Sequence, residues 1–539
     1  MLNKYIKKIS FTILSIIILL LLSCSKDDSI TEINTYFSFF SLHGTTDKTY
    51  EIKGSSLRYI EPSTIFKIMG DNYNLSYEIE KENDYIKLSY KDNNIDNYMI
   101  FNSKTNIVTL SSYNFYSYDL IDRISYISKF SITKPTSSFE EVSINLSDYD
   151  IKIINEDGLI LLPISIASLL ISSPCNINFY FNPLYNDKTV FGFEGYPLPL
   201  VYSAINENFK GSISTLEERK NNLSYIELFI DQFYGLKEYK NMSSLDNVIS
   251  SFETYKNDIL STSSDTYQFA EINYFNNLND LHTSLITYSP LSNYYDHDII
   301  HSDSYNNLEE KLNNDISIRN SLTKKYPKIR INDVNAYIYD DSMLVCFNNF
   351  DTNKYNIINN LFILIEGNQY NIKNIIFDLT CNTGGEVFTA YQILSLLTDD
   401  SLSFTYQYNN SNLYYKYDAI FDNDQDLDFH DDEAHNEYNY YLLTSNSTFS
   451  AANLFSAEFK AHNIGKSIGV KSGGGTCVIG YQVLPDGTTF TTSSLKQIVI
   501  KDDNGIYNQI ENGIDVDYLY TNYTELYDLI TLDNYINNL

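Results

Sequence analysis

The last third of the chain predicts an α/β fold built around a buried sheet. Apolar runs at residues 343–347, 374–379, 440–444 and 467–470 are interpreted as strands, and stretches with helical spacing lie between them, at residues 356–366, 387–397 and 450–462. Continuous apolar strands that alternate with helices are typical of a parallel sheet covered on both faces. In such folds the functional site lies where strands turn into helices.

The N-terminus has the residue order of a secretory signal. Three lysines precede an apolar run at residues 11–22, which small and acidic residues follow. The run is too short to span a bilayer comfortably, so we expect residues 1–23 to be removed on export. The segment Leu-Leu-Ser-Cys at residues 21–24 resembles the lipobox of bacterial lipoproteins. An ordinary signal peptide with an incidental cysteine is the alternative.

The lipobox resemblance implies that Cys24 becomes the lipidated first residue of the mature protein. Acyl chains then hold the chain on a membrane while its folded part stays in water. The expected location is the extracytoplasmic side of a bacterial cell envelope, at the outer membrane or the cell surface. The formal net charge of −32 becomes more negative once residues 1–23 are lost. Because so acidic a surface repels nucleic acid, we expect no nucleic-acid partner. The membrane is expected as a partner through the lipid on Cys24.

Neither the cysteines nor the acidic loop predicts a metal site or a cofactor. The four cysteines after Cys24 lack metal-ligand spacing and are too few for a disulfide scaffold, so buried free thiols are expected. They are Cys175, Cys346, Cys381 and Cys477. In the acidic stretch at residues 421–437, His430 and His435 could hold a divalent ion, but a solvated acidic insertion is the favoured interpretation.

A chain of 539 residues can fill two or three domain cores. Apolar and polar residues alternate between turns in a way that predicts a β-rich domain at residues 24–145. A small α+β accessory domain, for packing or for presenting substrate, is expected at residues 146–212. Apolar residues at helical spacing then predict a helical subdomain at residues 213–305, which leads into the α/β core at residues 306–539.

Two strand-to-helix turns of the core carry residues suited to acyl chemistry. The run at residues 375–379 breaks into a polar turn with Gly384 and Gly385, where backbone N–H groups can approach an anion closely. An ordinary left-handed turn is the alternative. Ser450 and Ala451 open the helix that follows the next strand. Such a serine is commonly a helix cap, but as a nucleophile it would gain from the positive end of the helix dipole.

Four segments resemble the C-terminal processing (tail-specific) and tricorn-core family of serine peptidases. The family has an Asp-x-Arg-x-Asn-x-Gly-Gly segment, a Ser-Ala-Ser/Ala-Glu segment, a Gly-Ile-x-Pro-Asp segment and a Leu-x-Asp-x-His-Thr segment. Here the matching residues are 378–385, 450–453, 513–517 and 278–283. The resemblance covers about residues 214–530. It implies a ClpP/crotonase-like α/β peptidase core with an N-terminal helical subdomain, preceded by the small β-rich domains.

The resemblance also distinguishes between the two catalytic sets of that family, a Ser-Lys dyad and a Ser-His-Glu triad. Gly475 stands at the position of the dyad lysine. The implied set is therefore Ser450 as nucleophile, His282 as general base and Glu511 as the acid that orients the imidazole. Lys471 as a displaced dyad base is the alternative.

The resemblance assigns the oxyanion hole to the turn at Gly384 and Gly385 and to Ala451, with the N–H groups of Gly385 and Ala451 as donors. Three positions depart from the family pattern, and these are Thr380 for arginine, Asn453 for glutamate and Val516 for proline. They put the usual substrate recognition in doubt. Only about fifty residues lie between His282 and the strand predicted at residues 336–338, too few to hold a PDZ domain, so capture of a free C-terminus in a PDZ groove is not expected.

These features predict a membrane-anchored, extracytoplasmic serine endopeptidase that hydrolyses peptide bonds of a protein or peptide substrate through an acyl-enzyme on Ser450. Two other functions stay open. One is a catalytically silent surface lipoprotein that keeps the peptidase fold and binds proteins or glycans through its N-terminal β domains. The other is crotonase-like acyl-CoA chemistry, which shares the oxyanion geometry but needs neither this catalytic set nor export.

Overall fold

The computed structural model describes residues 29–539 apart from 40–43, 93–94, 118–122, 126–127, 135–139, 183, 185–186, 196–210, 295–296, 368–369, 409–410, 412, 424–433 and 502–503. The predicted signal, Cys24 and His430 lie outside the described residues. Within the described ranges, no helix is both long enough and apolar enough to cross a bilayer.

Strands dominate the region at residues 30–194. Its elements are β1 (Ile30–Phe39), β2 (Thr45–Ile52), β3 (Arg58–Ile60), α1 (Pro62–Asn72), β4 (Tyr77–Lys81), β5 (Tyr85–Asp92), β6 (Ile95–Asn102), β7 (Ile107–Leu110), β8 (Arg123–Ser125), β9 (Ser128–Thr133), β10 (Val142–Asn145), β11 (Ile154–Glu156), β12 (Leu159–Pro163), α2 (Ile164–Ile171), β13 (Ile177–Phe181) and β14 (Thr189–Glu194).

Most of these strands form two sheets. The first sheet has the order β11–β12–β3–β2–β1–β14–β13, and the second has the order β10–β7–β6–β5–β4. The first sheet combines strands from both sides of the predicted boundary between residues 145 and 146, so that boundary does not separate two sheets. In β5 and β6 of the second sheet, buried and more exposed side chains alternate, because one face packs on the core while the other meets water.

A largely helical segment follows, where the sequence predicts one. It contains α3 (Leu216–Phe233), α4 (Leu245–Phe252), α5 (Lys256–Ile259), α6 (Ser264–Asn277), β15 (Ser284–Thr287) and α7 (Asp303–Thr323). Helix α3 begins at a capping box, in which the Thr215 hydroxyl accepts from the backbone N–H of Glu218 while the Glu218 side chain accepts from the Thr215 N–H.

The last part of the chain alternates strands and helices. Its elements are β16 (Lys328–Ile331), β17 (Val334–Tyr339), β18 (Ser342–Cys346), α8 (Lys354–Gly367), β19 (Asn374–Asp378), α9 (Val387–Ser395), β20 (Leu402–Tyr408), β21 (Tyr414–Phe421), β22 (Asn439–Thr444), α10 (Ala451–Ala461), β23 (Gly465–Gly469), β24 (Cys477–Val483), β25 (Thr489–Lys501), β26 (Tyr507–Gln509), β27 (Tyr518–Leu519) and α11 (Leu529–Ile536).

The core sheet has the order β16–β17–β18–β19–β22–β23–β27, and its strands β18, β19, β22 and β23 run parallel. Apolar side chains cover both of its faces, which confirms the predicted α/β core. In the register of β19 and β22, Asp378 lies opposite Leu443. The turns that follow these two strands are therefore neighbours, and they carry Gly384 and Ser450.

A further sheet brings segments that are distant in the chain close to the turns that carry Gly384 and Ser450. It has the order β15–β25–β20–β21–β9–β8, and β24 and β26 also pair with β25. Strand β15 begins two residues after His282, and β26 ends two residues before Glu511. Strands β8 and β9 come from the N-terminal region, and one apolar cluster runs from Phe37 to Leu495. The N-terminal region thus packs on the helical segment and on this sheet.

Candidate active site

Ser450 lies at the turn between β22 and α10, with its backbone in an uncommon conformation. Its φ is 56° and its ψ is −122°, a region that costs a non-glycine residue free energy and that recurs at functional sites. The side chain makes no capping hydrogen bond to the helix, so the structure does not support the helix-cap alternative. Instead, the Ser450 Oγ lies 3.0 Å from Nε2 of His282. The serine is partly exposed and can meet a substrate.

His282 is buried and is held by the turn that starts at Asp280. The Asp280 carboxylate accepts from the backbone N–H of His282 at 3.0 Å and from the hydroxyl of Thr283 at 2.6 Å. Tyr234 donates its hydroxyl to the same carboxylate at 3.2 Å. Burial lowers the pKa of His282, and the charge of Asp280 opposes that shift. The imidazole is therefore neutral at pH 7, in the form that can accept a proton.

Asp280 is a site residue that the sequence analysis passed over, although it stands in the segment matched to the family. A carboxylate two residues before a histidine is a recognisable signal, because Asp side chains commonly accept from the N–H two residues on. Asp280 is buried and acts on His282 in two ways, through the backbone hydrogen bond and through its charge. It is a positioning residue for the histidine.

The two expected oxyanion donors have N–H groups without partners. Within the described residues, neither the amide of Gly385 nor that of Ala451 donates to another group. Gly384 differs, because its N–H already donates to Oδ1 of Asn382 at 2.9 Å. Gly384 leaves room for Ser450, because a Cβ on Gly384 would lie 2.7 Å from the Ser450 Cβ and 2.9 Å from the Ala451 nitrogen. The Gly384–Gly385 peptide therefore lies directly beside Ser450.

Glu511 is fixed near the site but does not touch the histidine. Its Oε2 accepts from the Thr476 N–H at 2.8 Å. Both Glu511 and His282 are described, and the structure shows neither a hydrogen bond nor an ion pair between them. Burial, opposed by the Thr476 amide and reinforced by the charge of Asp280, raises the pKa of Glu511 to about 7. The third member of the predicted set thus makes no direct contact with His282 in the described structure.

The loop that would carry a dyad lysine has no room for one. Gly475 has a φ of 90°, and a Cβ there would lie 2.8 Å from the Phe449 ring and 3.0 Å from the Ser450 nitrogen. Lys471 is exposed, and its Nζ lies 3.7 Å from the Asp515 carboxylate. Lys471 makes no contact with Ser450 in the described structure, so the displaced-dyad alternative has no support.

Arg319 supports the glycine turn, and nothing in the sequence signalled it. From α7, its guanidinium donates to the Asp378 carboxylate at 2.9 Å and to the Asn348 side chain at 2.7 Å. The carbonyl of Asn348 in turn accepts from the Thr383 N–H. Thr380, which stands where the family pattern has arginine, donates its N–H to Asp378 at 3.0 Å. A guanidinium from a distant helix therefore balances the buried Asp378.

Asn453, another departure from the family pattern, links the nucleophile helix to the loop that carries Glu511. Its Nδ2 donates to the Ile510 carbonyl at 2.9 Å, and its Oδ1 accepts from the Ser472 hydroxyl at 2.6 Å. Because Ile510 directly precedes Glu511, Asn453 fixes the position of the glutamate relative to α10. The amide side chain both donates and accepts here, which a carboxylate could not do.

Among the described residues, the side chains of Glu366, His435 and Glu437 are close enough to share a metal ion. His435 Nδ1 lies 2.9 Å from Glu366 Oε1, and the His435 ring stacks on Phe362. The two glutamates are exposed, and exposed acidic groups of this kind are common without a metal. None of these side chains contacts Ser450 or His282. The four cysteines described are buried and free, as predicted.

Comparison with known proteins gives the family of the core. Residues 343–519 match the model of Peptidase family S41, a range that contains Ser450 and Glu511 but not His282. No curated protein matches the chain.

Solved structures similar to this chain include a candidate peptidase from Parabacteroides merdae, with 18% identity, a TM-score of 0.44, and coverage of 59% of this chain and 96% of that one. A lipoprotein from Streptococcus agalactiae has 16% identity, a TM-score of 0.36, and coverage of 60% and 96%. The photosystem II D1 C-terminal processing protease has 15% identity, a TM-score of 0.29, and coverage of 38% and 52%. On the family match at residues 343–519, the chain carries a Peptidase family S41 domain and is a serine-type peptidase.

Proposed function

We propose that the protein is an endopeptidase that cleaves peptide bonds through an acyl-enzyme on Ser450. The observation that carries the proposal is the 3.0 Å contact between Ser450 Oγ and His282 Nε2. The backbone of Ser450 is strained, and the residue lies beside the N–H groups of Gly385 and Ala451, which have no partners among the described residues. A hydroxyl within hydrogen-bond reach of a neutral imidazole can lose its proton as it attacks a carbonyl.

In the first step, Ser450 Oγ attacks the carbonyl carbon of the scissile peptide bond, and its proton passes to His282 Nε2. The N–H groups of Gly385 and Ala451 donate to the oxyanion of the tetrahedral intermediate. The imidazolium then gives its proton to the leaving amine as the C–N bond breaks. In the second half of the reaction, water attacks the ester, His282 takes the proton of that water, and the proton returns to Ser450 as the acid product leaves.

Two carboxylates favour the imidazolium that forms in these steps. Asp280 fixes the backbone of His282 and faces it with a negative charge. Glu511 adds a second negative charge when it is ionised, and the amide of Thr476 holds it in place. In this scheme Glu511 acts through space on His282 rather than through a direct hydrogen bond.

The labelling of Ser450 by a fluorophosphonate tests this function without a known substrate. Peptide mapping of the labelled wild-type protein should give one adduct, on Ser450. His282→Ala should slow the labelling by several orders of magnitude, because the serine loses its general base. Tyr305→Phe, a change at an exposed tyrosine on α7, is the control that should label normally. A folded wild-type protein that takes no label would instead favour the catalytically silent surface lipoprotein.

We also propose that the enzyme works outside the cytoplasm, anchored by lipid on Cys24. The lysine-led apolar run and the Leu-Leu-Ser-Cys segment at residues 21–24 support this location. Growth of expressing bacteria with labelled palmitate should give a labelled protein, and Cys24→Ser should remove the label. Wild-type protein that is exported without label would refute the anchor and leave the peptidase proposal untouched.

A further inference from the structure

The segment at residues 234–240, which directly follows α3, is fixed to the turn that carries the catalytic histidine. Its first residue, Tyr234, donates its hydroxyl to the Asp280 carboxylate at 3.2 Å. Its last residue, Lys240, donates from Nζ to the backbone carbonyl of Asn279 at 3.0 Å. The segment therefore holds that turn by a contact at each of its own ends.

The same segment is also fixed to the strands that lead to Glu511. Tyr239 donates its hydroxyl to the Gln509 side chain at 2.7 Å, two residues before the glutamate. The carbonyl of Gly235 accepts from the Gln497 side chain on β25 at 2.8 Å. Gln509 donates to the same Gln497 side chain. The segment thus connects the turn of the histidine to the loop of the glutamate.

The position of Lys240 suits its contact with Asn279. Helix α6 ends at Asn277, and the carbonyl that accepts from Lys240 lies just beyond that end. Carbonyl groups at a helix C-terminus carry a partial negative charge, which a lysine ammonium balances. Because Asn279 directly precedes Asp280, the lysine fixes the start of the turn that ends at the histidine.

Lys240 also brings a positive charge to an acidic part of the site. Its ammonium forms no ion pair with any residue that the structure describes, so no carboxylate in contact neutralises it. Burial raises the pKa of Glu511, and the Thr476 amide opposes this rise. The negative charge of Asp280 adds to the rise and the positive charge of Lys240 opposes it, so that the resulting pKa is about 7.

Three other ionisable groups of the site are uncharged at neutral pH. Burial raises the pKa of Tyr239, and the charge of Glu511 adds to that rise. Burial likewise raises the pKa of the Cys477 thiol on β24 well above its ordinary value. Burial lowers the pKa of His282, which is therefore neutral at pH 7. The charge balance at Glu511 thus depends on Asp280 and Lys240, of which only the lysine is positive.

We propose that Tyr239 and Lys240 are positioning residues of the catalytic site, which join the turn of His282 to the loop of Glu511, and that the Lys240 ammonium is the counter-charge of that glutamate. The proposal rests on the proposed peptidase function and adds a control on it, because the lysine then determines the pH at which the enzyme becomes active. It also gives a further task to the helical segment, which lies outside the family match at residues 343–519.

The pH dependence of fluorophosphonate labelling separates this role from a merely structural one. In Lys240→Met the pH of half-maximal labelling should rise by at least roughly half a unit, because Asp280 then acts on Glu511 unopposed. Well below that pH, labelling relative to the plateau should slow at least about threefold. Lys240→Arg keeps the charge and a donor, so it should restore the wild-type half-maximum.

The matched control is Lys373→Met, which removes the same charge elsewhere. Lys373 is exposed, pairs with Asp341 and precedes β19, at the end of the core sheet opposite to Ser450. This variant should not move the half-maximum. Tyr239→Phe removes the hydrogen bond to Gln509 but no charge, so it should lower the plateau severalfold and leave the half-maximum in place. An unchanged plateau would remove Tyr239 from the proposal.

Urea denaturation gives a second readout that needs no catalysis. Folded Glu511 keeps a proton that the unfolded chain releases near pH 4.5, so its stabilising contribution is present at low pH and is lost as the pH rises through the folded pKa of about 7. Because Lys240→Met raises this folded pKa, the free energy of unfolding should fall further between pH 5 and 8 than it does in wild type. Glu511→Gln in the same chain should remove the difference.

A half-maximum that stays in place in Lys240→Met would overturn the role of the charge. So would a shift of equal size in the Glu511→Gln background, because the lysine would then act on another group. If wild-type Ser450 does not label at all, the peptidase proposal fails, while the urea measurements still test the charge of Lys240. The two failures are therefore distinguishable.

Discussion

The replacement of Glu511 by glutamine removes a carboxyl group of the site whose protonation changes near neutral pH. Glutamine keeps an acceptor for the Thr476 N–H, so the loop geometry should survive. Burial raises the pKa of Glu511 to about 7, whereas burial lowers the pKa of His282 from its ordinary value of 6.5. Both Glu511 and His282 must therefore lose a proton before the wild-type enzyme reaches its most active form, and Glu511 loses its proton at the higher pH.

We expect the rate constant for fluorophosphonate labelling of wild-type Ser450 to rise with pH and to reach its half-maximum near pH 7. In Glu511→Gln only His282 titrates, so the half-maximum should fall below 6.5. The maximum should fall as well. Glu511 and His282 form no ion pair, so at an effective dielectric constant of about 20 the loss of this charge should cost at most ~4 kcal/mol, or roughly a thousandfold in rate as the upper limit.

To measure the rate constant, the labelling reaction is quenched at set times and the labelled fraction is determined by intact mass, from pH 5 to 9. Circular dichroism at each pH confirms that the protein is folded. A half-maximum that stays near pH 7 in Glu511→Gln would assign the titration to another group. A maximal rate within twofold of wild type would show that the Glu511 charge does not assist His282. Either result would refute the through-space role.

Three further measurements test how the site is held. Between about pH 4.5 and 7 the folded protein binds a proton at Glu511 that the unfolded chain has released, so this residue's contribution to the free energy of unfolding should fall by up to ~3 kcal/mol as the pH rises. In urea titrations, Glu511→Gln should make the total fall over this pH range smaller by that amount, and an unchanged fall would contradict the raised pKa. Gly384→Ala places a Cβ 2.7 Å from the Ser450 Cβ at a φ of 104°, so labelling should slow at least a hundredfold, and unchanged labelling would contradict the packing. Arg319→Met leaves the buried Asp378 unpaired and should cost ~3–5 kcal/mol of stability in urea denaturation, where a loss below about 1 kcal/mol would contradict its role.

The core could be predicted from the sequence because its strands are buried on both faces. Such strands are continuous apolar runs, and the runs at residues 343–347, 374–379 and 440–444 correspond to β18, β19 and β22 within one residue at each end. The contact of Ser450 with His282 also followed from motif order, although the two residues are 168 positions apart. The local sequence pattern was therefore sufficient to predict those strands whose own residues show that both faces are buried.

Pairing between distant segments could not be predicted in the same way. The first sheet joins strands from both sides of residue 145, because hydrogen-bonded neighbours in a sheet need not be neighbours in the chain. Arg319 belongs to a helix whose sequence says nothing about Asp378, and only the packing of α7 on the core brings them together. The separation of Glu511 from His282 depends on loop positions that residue types do not determine.

The extra N-terminal region and the substituted residues near the serine are the sequence features that support a catalytically silent protein as an alternative. In the structure, two of the substituted residues make defined contacts. Thr380 donates to the Asp378 carboxylate, to which Arg319 also donates, and Asn453 ties the nucleophile helix to the loop of Glu511 through a donor and an acceptor. A chain that had lost its chemistry would have no need to keep Ser450 at a strained φ, within reach of a buried imidazole. The departures from the family pattern therefore leave the contact between Ser450 and His282 in place.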